Sequence, residues 1–210
     1  MRSYGQNCAL ARSLDVIGDR WTLLIVRELM IHDGCRYTDL RNGLPGIATN
    51  LLAERLNELE AAGLLTRESA PPPIATTLFR LTRRGRDLEP VIAALGRWGA
   101  PLLKFNPSPD EFRDHWVILP LRLYVRDNFP ADPPVTLGLR AGEEAVTIET
   151  AGDGSVRVEA VKPIHPDAEI EGTPQQILGL LTGKASLADA QATGLRYRGD
   201  AELLKRFGAR

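Results

Sequence analysis

The sequence predicts an α+β protein of two domains, in which a mostly helical first half is followed by an antiparallel sheet with helices. Three observations predict this. Apolar residues recur at helical spacing through much of the first half, and they alternate as in strands between residues 135 and 159. A proline-containing run at 106–109 separates the halves, because proline fits poorly inside a helix or strand. The predicted domains are residues 1–105 and 110–210.

Composition excludes several classes of protein. The 210 residues are 43% hydrophobic and 25% charged, which is ordinary for a globular chain and unlike a disordered one. With 26 Lys and Arg against 27 Asp and Glu, the net charge of -1 excludes a uniformly basic protein that coats nucleic acid. The halves differ, however, since residues 1–105 carry a net +3 and residues 106–210 a net -4. This asymmetry predicts two modules with different partners.

The chain is expected to be cytoplasmic. No apolar run approaches the ~20 residues that cross a bilayer, and the first residues lack the apolar region of a signal peptide. Cys8 and Cys35 are too few for a disulfide framework, so we expect both to be reduced. We therefore expect no membrane partner.

The order of elements in the first half indicates a helix-turn-helix. The predicted elements are an N-terminal helix, a second helix that carries Trp21 and ends at Asp33-Gly34, and helices at 37–41 and 49–62. Strands at 64–68 and 77–81 follow around the loop Pro71-Pro72-Pro73, and then a helix at 83–98 that is interrupted or kinked at Pro90. In the second helix, Trp21, Leu24, Ile25 and Leu29 share a face. Leu52, Leu56 and Leu59 form a buried stripe, and Gly63 is suited to ending their helix.

The short helix, the tight turn and the amphipathic helix would form the helix-turn-helix, and the hairpin after them a wing. In such a unit the second helix is held rigidly, so that its N-terminal side chains enter a major groove. The pattern alone fits a helical core unit of another kind of protein equally well.

The residues that narrow this choice are LDVIGDRWTLLI at 14–25, YTDLR at 37–41, LPGI at 44–47, LLAERLNELEAAGL at 51–64 and FRLTRRG at 79–85. Together they resemble the HxlR-type winged-helix transcriptional regulators, over about half the chain. The resemblance implies a homodimer that binds a palindromic operator in double-stranded DNA. It also implies dimer contacts from the N-terminal helix and from the helix after the wing.

Candidate DNA contacts follow from this placement. They are Arg36, Thr38, Thr49, Asn50, Ala53, Arg55, Arg80 and Arg83. Asn50 can make a bidentate contact to adenine, and Arg55 could reach guanine or phosphate, although the bases that are read do not follow from this. For Arg36, Arg80, Arg83, Arg84 and Arg86, an ordinary solvated surface is an equally good interpretation.

The sequence departs from the family at the predicted interface. Ala48 and Asn50 stand where the family usually has a hydroxyl residue and a cation, and Asn57 replaces another common cation. Arg55 is then the only cation of the recognition helix, and the wing tip at 69–76 has no Lys or Arg. Because phosphate contacts supply most nonspecific affinity, we expect weaker nonspecific binding than is typical for the fold.

In the second half, the residue pattern predicts strands at 135–139, 145–149, 155–159 and 195–198. It also predicts helices capped by Thr173 and Ser186 and a terminal helix capped by Asp200. This arrangement, with PDAEIEGTP at 166–174 and LRYRGD at 195–200, resembles the sterol-carrier-protein-type lipid-binding fold. The resemblance implies a sheet covered by helices over an apolar cavity. Trp116, Leu119 and Leu123 would form one wall, on a segment bent at Pro120. A second domain that only strengthens the dimer fits equally well.

Cys8 matches a cysteine that acts as a redox sensor in some members of the HxlR family. Arg12 could supply the cation that favours its thiolate. The alternative, a small residue buried at the dimer contact, is favoured by the usual packing of cysteine. His32 and Cys35 are too few to bind zinc, and no catalytic or phosphate-binding motif occurs. We expect no enzyme activity, catalytic residue, cofactor or metal.

Two hypotheses therefore remain. In the first, the protein is a homodimeric transcriptional regulator whose second domain senses an apolar small molecule or stabilises the dimer. In the second, it binds a lipid or another hydrophobic ligand, and the winged helix serves as an interaction platform.

Overall fold

The chain folds as two compact units, Met1–Glu111 and Phe112–Arg210. The computed structural model describes residues 3–70, 76–102 and 112–209. The predicted proline-containing boundary at 106–109 and the loop at 71–73 lie outside the described residues.

The first unit is a winged helix-turn-helix. Its described elements are α1 (Ala9–Ile17), α2 (Thr22–Ile31), β1 (Cys35–Arg36), α3 (Tyr37–Gly43), α4 (Thr49–Ala61), β2 (Leu65–Ser69), β3 (Thr77–Leu81), α5 (Arg83–Arg86) and α6 (Glu89–Gly99). The strands form an antiparallel sheet in the order β1-β3-β2. The two-residue strand β1, which the sequence pattern did not predict, pairs Cys35 with Phe79.

The core of this unit joins α2 to α4. Ile25, Val26 and Leu29 of α2 are buried, and so is the predicted stripe of α4. Leu24, expected on the inner face, is instead 41% exposed. The reason is that Trp21 precedes the helix, so the inner face is centred on Ile25 and Val26 and leaves Leu24 outside.

Proline begins helices in both units. The helix expected at 83–98 is divided into α5 and α6, and Pro90 lies in the first turn of α6. In the second unit Pro120 lies in the first turn of α7 (Ile118–Tyr124), just after a 3₁₀ turn at Asp114–Val117. A missing N–H costs little in a first turn, because that group has no partner in the helix. Pro90 therefore follows the predicted interruption of its helix, whereas Pro120 follows a change from 3₁₀ to α-helical geometry.

The second unit is built on a five-stranded sheet. Its further described elements are β4 (Val125–Asp127), β5 (Thr136–Ala141), β6 (Glu144–Thr150), β7 (Val156–Glu159), β8 (Ala168–Gly172), α8 (Pro174–Leu181), α9 (Leu187–Ala192), β9 (Arg196–Arg198), a 3₁₀ helix at Ala201–Arg206 and β10 (Phe207–Ala209). The sheet order is β7-β6-β5-β8-β9, and β10 pairs separately with β4. Neither β4 nor β10 was expected from the sequence.

This sheet is mixed, which corrects the prediction of an antiparallel one. Strand β8 runs parallel to β5, with Leu139 opposite Ile170. The connection before β8 passes close over β5: a Cβ atom on Gly138 would lie 2.6 Å from Pro163 and 3.1 Å from Pro166. Because the chain crosses the sheet before β8, this strand runs in the same direction as β5. The alternation of residues could not predict this, because it indicates only that a strand has one buried face.

The predicted helix caps are confirmed. Thr173 accepts a hydrogen bond from the Gln176 N–H at 3.3 Å, and the Gln176 side chain accepts one from the Thr173 N–H at 2.8 Å. Ser186 accepts from the Asp189 N–H at 3.1 Å. Asp200 accepts from the Glu202 N–H at 2.9 Å, but the helix that it begins is a 3₁₀ helix.

Candidate nucleic-acid interface

Helix α4 rests on its apolar stripe and leaves the opposite side in solvent. Leu52, Leu56 and Leu59 are at most 2% exposed. Asn50 and Ala53, on the other side, are exposed, and so is Thr49 at the start of the helix. The side predicted to face DNA is therefore uncovered within this unit, while the hydrophobic contacts beneath hold the helix in place.

The start of α4 is tied to the start of α3. The Tyr37 hydroxyl donates a hydrogen bond to the Thr49 carbonyl at 2.7 Å. The turn between the helices closes with a bond from the Ile47 N–H to the Leu44 carbonyl at 3.2 Å, and Gly46 adopts φ +85°. Ala48, at the N-cap of α4, supplies no side-chain acceptor for the first N–H groups. These contacts position the exposed N-terminal end of the helix.

Arg55 is held within a cluster of carboxylates. Its guanidinium pairs with Glu58 at 2.5 Å, with Glu54 at 3.1 Å and with Asp19, and its side chain is 11% exposed. The sequence assigned Arg55 to a base or a phosphate, but such a contact would first have to break these pairs. Asp19 lies between α1 and α2, so the cluster fixes α4 against that loop.

The same loop reaches the turn before α4 through Trp21. This residue has φ +81°, an uncommon conformation for an aromatic residue, and its ring is 3.9 Å from where a Cβ of Gly46 would lie. Sequence reasoning missed Asp19, Trp21 and Tyr37 as positioning residues. Their partners are 36, 25 and 12 residues away, and no helical or strand spacing links such positions.

The arginines of the wing are also occupied. Arg80 bonds to the Asp33 carbonyl at 2.6 Å and to its carboxylate at 2.7 Å, and it pairs with Glu68 at 3.0 Å. Arg67 pairs with Glu60 at 3.0 Å, donates to the Asn57 amide oxygen and lies 5.3 Å above the centre of the Phe79 ring. A DNA contact by Arg80 would therefore also compete with existing pairs.

The other predicted cations are more available. Arg36 and Arg83 are exposed, and neither forms an ion pair within residues 3–70, 76–102 and 112–209. Thr82 positions Arg83, because its hydroxyl accepts from the Gly85 N–H at 3.1 Å and donates to the Gly63 carbonyl at 2.7 Å. Thr38 is exposed on α3. The structure thus divides the predicted cations into an occupied and an available set.

Comparison with known proteins identifies the family of the first unit. The sequence model of the HxlR-like helix-turn-helix family matches residues 16–106. The uncharacterized HTH-type transcriptional regulator sll1512 of Synechocystis sp. is 34% identical over 101 residues, which are 48% of this chain and 73% of that protein. The chain belongs to the HxlR-like helix-turn-helix family.

A second curated relative agrees with this assignment in sequence. The uncharacterized HTH-type transcriptional regulator YvaP of Bacillus subtilis is 30% identical to this HxlR-like chain over 87 residues, or 41% of the chain and 80% of YvaP. Among solved structures, the reduced form of the transcriptional regulator YodB from B. subtilis is 28% identical, with a TM-score of 0.41. That likeness covers 50% of this chain and all of YodB. The second unit lies outside the residues that the family model matches.

In this HxlR-like chain, Cys8 is exposed at the N-cap of α1. The backbone N–H groups of Ala11 and Leu10 lower its pKa below the ordinary thiol value, as a helix N-terminus does. Arg12, the expected source of the shift, instead lies 3.5 Å from the Asp15 carboxylate. A sensing role for Cys8 stays a prediction.

The predicted wall residues of the second unit belong to one segment. Leu119 and Leu123 are buried one turn apart on α7, and Trp116 is half-buried just before them. The Trp116 ring packs edge-to-face against Phe112, with centroids 5.7 Å apart. The Arg122 guanidinium donates to the Val158 carbonyl at 2.9 Å, which fastens α7 to β7.

Two further observations concern other kinds of site. In the described parts of the chain, no three His, Cys, Asp or Glu residues are grouped so that they could hold a metal ion. No helix in those parts is long and apolar enough to cross a membrane.

Proposed function

We propose that the protein is a DNA-binding transcriptional regulator that acts as a homodimer on a palindromic operator. The observation that carries this proposal is the exposed N-terminal side of α4, propped by the buried stripe and by the Tyr37 bond to Thr49. In a winged helix-turn-helix this side enters the major groove, and a dimer places two such helices about 34 Å apart. Membership in the HxlR-like family supports the same function.

Exposed apolar side chains support the homodimer. Leu10 of α1 is 68% exposed, and Leu95 and Trp98 of α6 are 47% and 76% exposed. Leu95 and Trp98 are three residues apart and therefore lie on one face of α6. Adjacent large apolar side chains in water are typical of an interaction surface, which a second copy of the chain would cover. Sedimentation of the full chain should therefore give a dimer, and Trp98→Lys should shift it toward the monomer.

The arginines support weak electrostatic binding. Of the predicted cations, Arg36 and Arg83 are available for phosphates, and Thr38 can donate a hydroxyl proton. Arg55 and Arg80 are engaged by carboxylates. Because each neutralised phosphate steepens the dependence of affinity on salt, we expect a shallow salt slope and modest nonspecific affinity.

The direct test is binding of the full chain to duplexes from its own upstream region over a salt series. Sequence-selective binding at moderate salt, weakened by Asn50→Ala, is the expected result. Asn42→Ala, another exposed asparagine, is the matched control and should bind as the parent protein does. Absence of selective binding at moderate salt would count against the proposal.

For the second unit we propose a sterol-carrier-like role that either binds an apolar small molecule or strengthens the dimer. The burial of Leu119 and Leu123 on α7, beside the half-buried Trp116, supports an apolar interior at this segment. A ligand there could regulate DNA binding only through different affinities for the two states of the dimer. Native mass spectrometry of the gently purified full chain tests this role. Co-purified lipid without DNA binding would favour instead a ligand-binding protein whose winged helix is an interaction platform.

A further inference from the structure

The free chemical groups at the exposed end of α4 are an amide, a hydroxyl and a methyl. Asn50 and Ala53 are three residues apart and therefore lie on one side of the helix, away from Leu52 and Leu56. Both are exposed, as is Thr49. The Asn50 side chain has no hydrogen-bond partner in the part of the chain that the structure describes, so its donor and its acceptor are both available.

Charged groups that could read a base from α4 are already engaged. Guanine is read chiefly by Arg or Lys bound to its O6 and N7 atoms. Arg55, on α4, is 11% exposed and held by Asp19, Glu54 and Glu58. A carboxylate can accept from the cytosine amino group, but the Glu54 Oε1 atom already accepts from Arg55 at 3.1 Å. The resting arrangement therefore disfavours readout of guanine by this helix.

The adjoining strands do not replace the missing cation. Arg67 bonds to Asn57 and Glu60, and Arg80 bonds to Asp33 and Glu68. These pairs direct both guanidinium groups toward the protein. The groups that remain available at the helix surface suit the other base pair: a carboxamide matches adenine N6 and N7, and a methyl matches the thymine methyl.

Resting on the proposed DNA-binding function, we propose that α4 selects A·T base pairs in each operator half-site. Asn50 holds adenine through its amide, and the Ala53 methyl packs against a thymine methyl. The operator is thus a duplex whose half-sites are read through A·T pairs, while Arg36 and Arg83 supply phosphate contacts without sequence information.

Selection from a randomised duplex pool by the full chain tests the role of Asn50. The parent protein should select an A·T pair at one position of each half-site. Asn50→Ala should show no preference at that position, and Asn50→Arg should select G·C there. The preference lost in Asn50→Ala should be at least about fivefold, the low end for a bidentate contact. Asn57→Ala is the matched control on the same helix, because the Asn57 oxygen is occupied by Arg67. It should leave the selected sequence unchanged.

Two results would overturn the assignment separately from the function. One is a G·C pair at the position that depends on Asn50 in the parent protein. The other is selected G·C pairs that vanish in Arg55→Ala, which would show that Arg55 leaves its carboxylates to read DNA. A pool from which no sequence is enriched would instead overturn the proposed function, and this inference with it.

Thymine-to-uracil exchange in the selected duplex tests the Ala53 contact. Removing the thymine methyl from one half-site should weaken binding of the parent protein by about fourfold, the factor for one buried methyl-sized group. In Ala53→Ser, which replaces the protein methyl, the same exchange should change binding by less than about twofold. Equal affinity of the parent protein for both duplexes would overturn this part of the inference.

Discussion

Arginine is paired with carboxylates in two contrasting regions, one around α4 and one at the end of the second unit. Around α4, Arg55 is 11% exposed, but its partners Asp19, Glu54 and Glu58 are 55%, 60% and 25% exposed. At the other site, Arg206 and Asp127 are 9% and 0% exposed and form two bonds of 2.8 Å. The comparison teaches that an ion pair with solvent-exposed partners chiefly orients a side chain and adds little stability. Removing one member of a buried pair instead leaves an unpaired charge in the interior, which is strongly destabilising.

The buried pair closes the second unit. Arg206 also donates to the Pro133 carbonyl at 3.0 Å, and Asp127 accepts from the Phe129 N–H at 3.0 Å. Strand β10, which follows Arg206, pairs with β4, which ends at Asp127. The pair therefore anchors the C-terminal strand.

The largest expected effect is the loss of this anchor. Asp127→Ala leaves the Arg206 charge buried without its carboxylate and should lower the free energy of unfolding by about 3–5 kcal/mol. Urea denaturation of the full chain measures it. Arg157→Ala is the control, because Arg157 and Glu149 are 65% and 47% exposed and 3.5 Å apart. The control should cost at most about 1 kcal/mol, and equal losses in both variants would break the comparison.

Two thiols extend the contrast between exposed and buried groups. Burial raises the pKa of Cys35 to about 12, whereas backbone N–H groups lower the pKa of the exposed Cys8. Since only the thiolate reacts, Cys8 should be alkylated much faster than Cys35 at pH 8. Mass spectrometry of Cys8→Ser and Cys35→Ser treated with iodoacetamide measures both rates. In urea, where both thiols are exposed, the alkylation rates of Cys8 and Cys35 should converge. Equal alkylation rates in the folded protein would contradict the predicted difference in thiolate content.

Acid should weaken the buried pair in a predictable direction. The hydrogen bonds from Arg206 hold the pKa of Asp127 below its ordinary value. Its folded pKa is therefore lower than its unfolded pKa of ~3.9. The resulting stabilisation is complete above the unfolded pKa and is lost as the pH falls through the folded pKa. Urea midpoints of the parent protein and Asp127→Asn should thus differ most near neutral pH and converge in acid. A difference that grows toward low pH would contradict this assignment.

The sequence could predict the helical unit, its recognition helix and the caps, because those features depend on local spacing. The stripe of Leu52, Leu56 and Leu59 and the cap at Thr173 are examples. It could not predict the parallel pairing of β8 or the contact of Asp19 with Arg55. Both join residues distant in the chain, and neither changes the local pattern of apolar residues. The charged residues could be counted from the sequence, but the carboxylate that pairs with each arginine could not be assigned from it.

The available and occupied arginines should differ in how they change the salt dependence of DNA binding. Arg83→Ala should make the slope of log affinity against log salt shallower by about 1.8, the change for two lost phosphate contacts, one from each subunit of the proposed dimer. Arg80→Gln should leave the slope nearly unchanged, because Asp33 and Glu68 engage its guanidinium. Titration of one selected duplex at several salt concentrations measures both slopes. Equal changes would mean that Arg80 leaves its carboxylates when DNA binds.

The smallest expected effect separates the positioning of α4 from general stability. Tyr37→Phe removes the 2.7 Å bond to the Thr49 carbonyl, and Tyr197→Phe removes a 2.7 Å bond to the Asp200 carbonyl in the second unit. Each should cost about 0.5–1.5 kcal/mol of unfolding free energy. Only Tyr37→Phe should also weaken operator binding, by about 2- to 10-fold, because it frees the end of the helix that we propose enters the groove. If both variants weakened binding alike, the effect would follow stability, and Tyr37 would have no separate role in positioning α4.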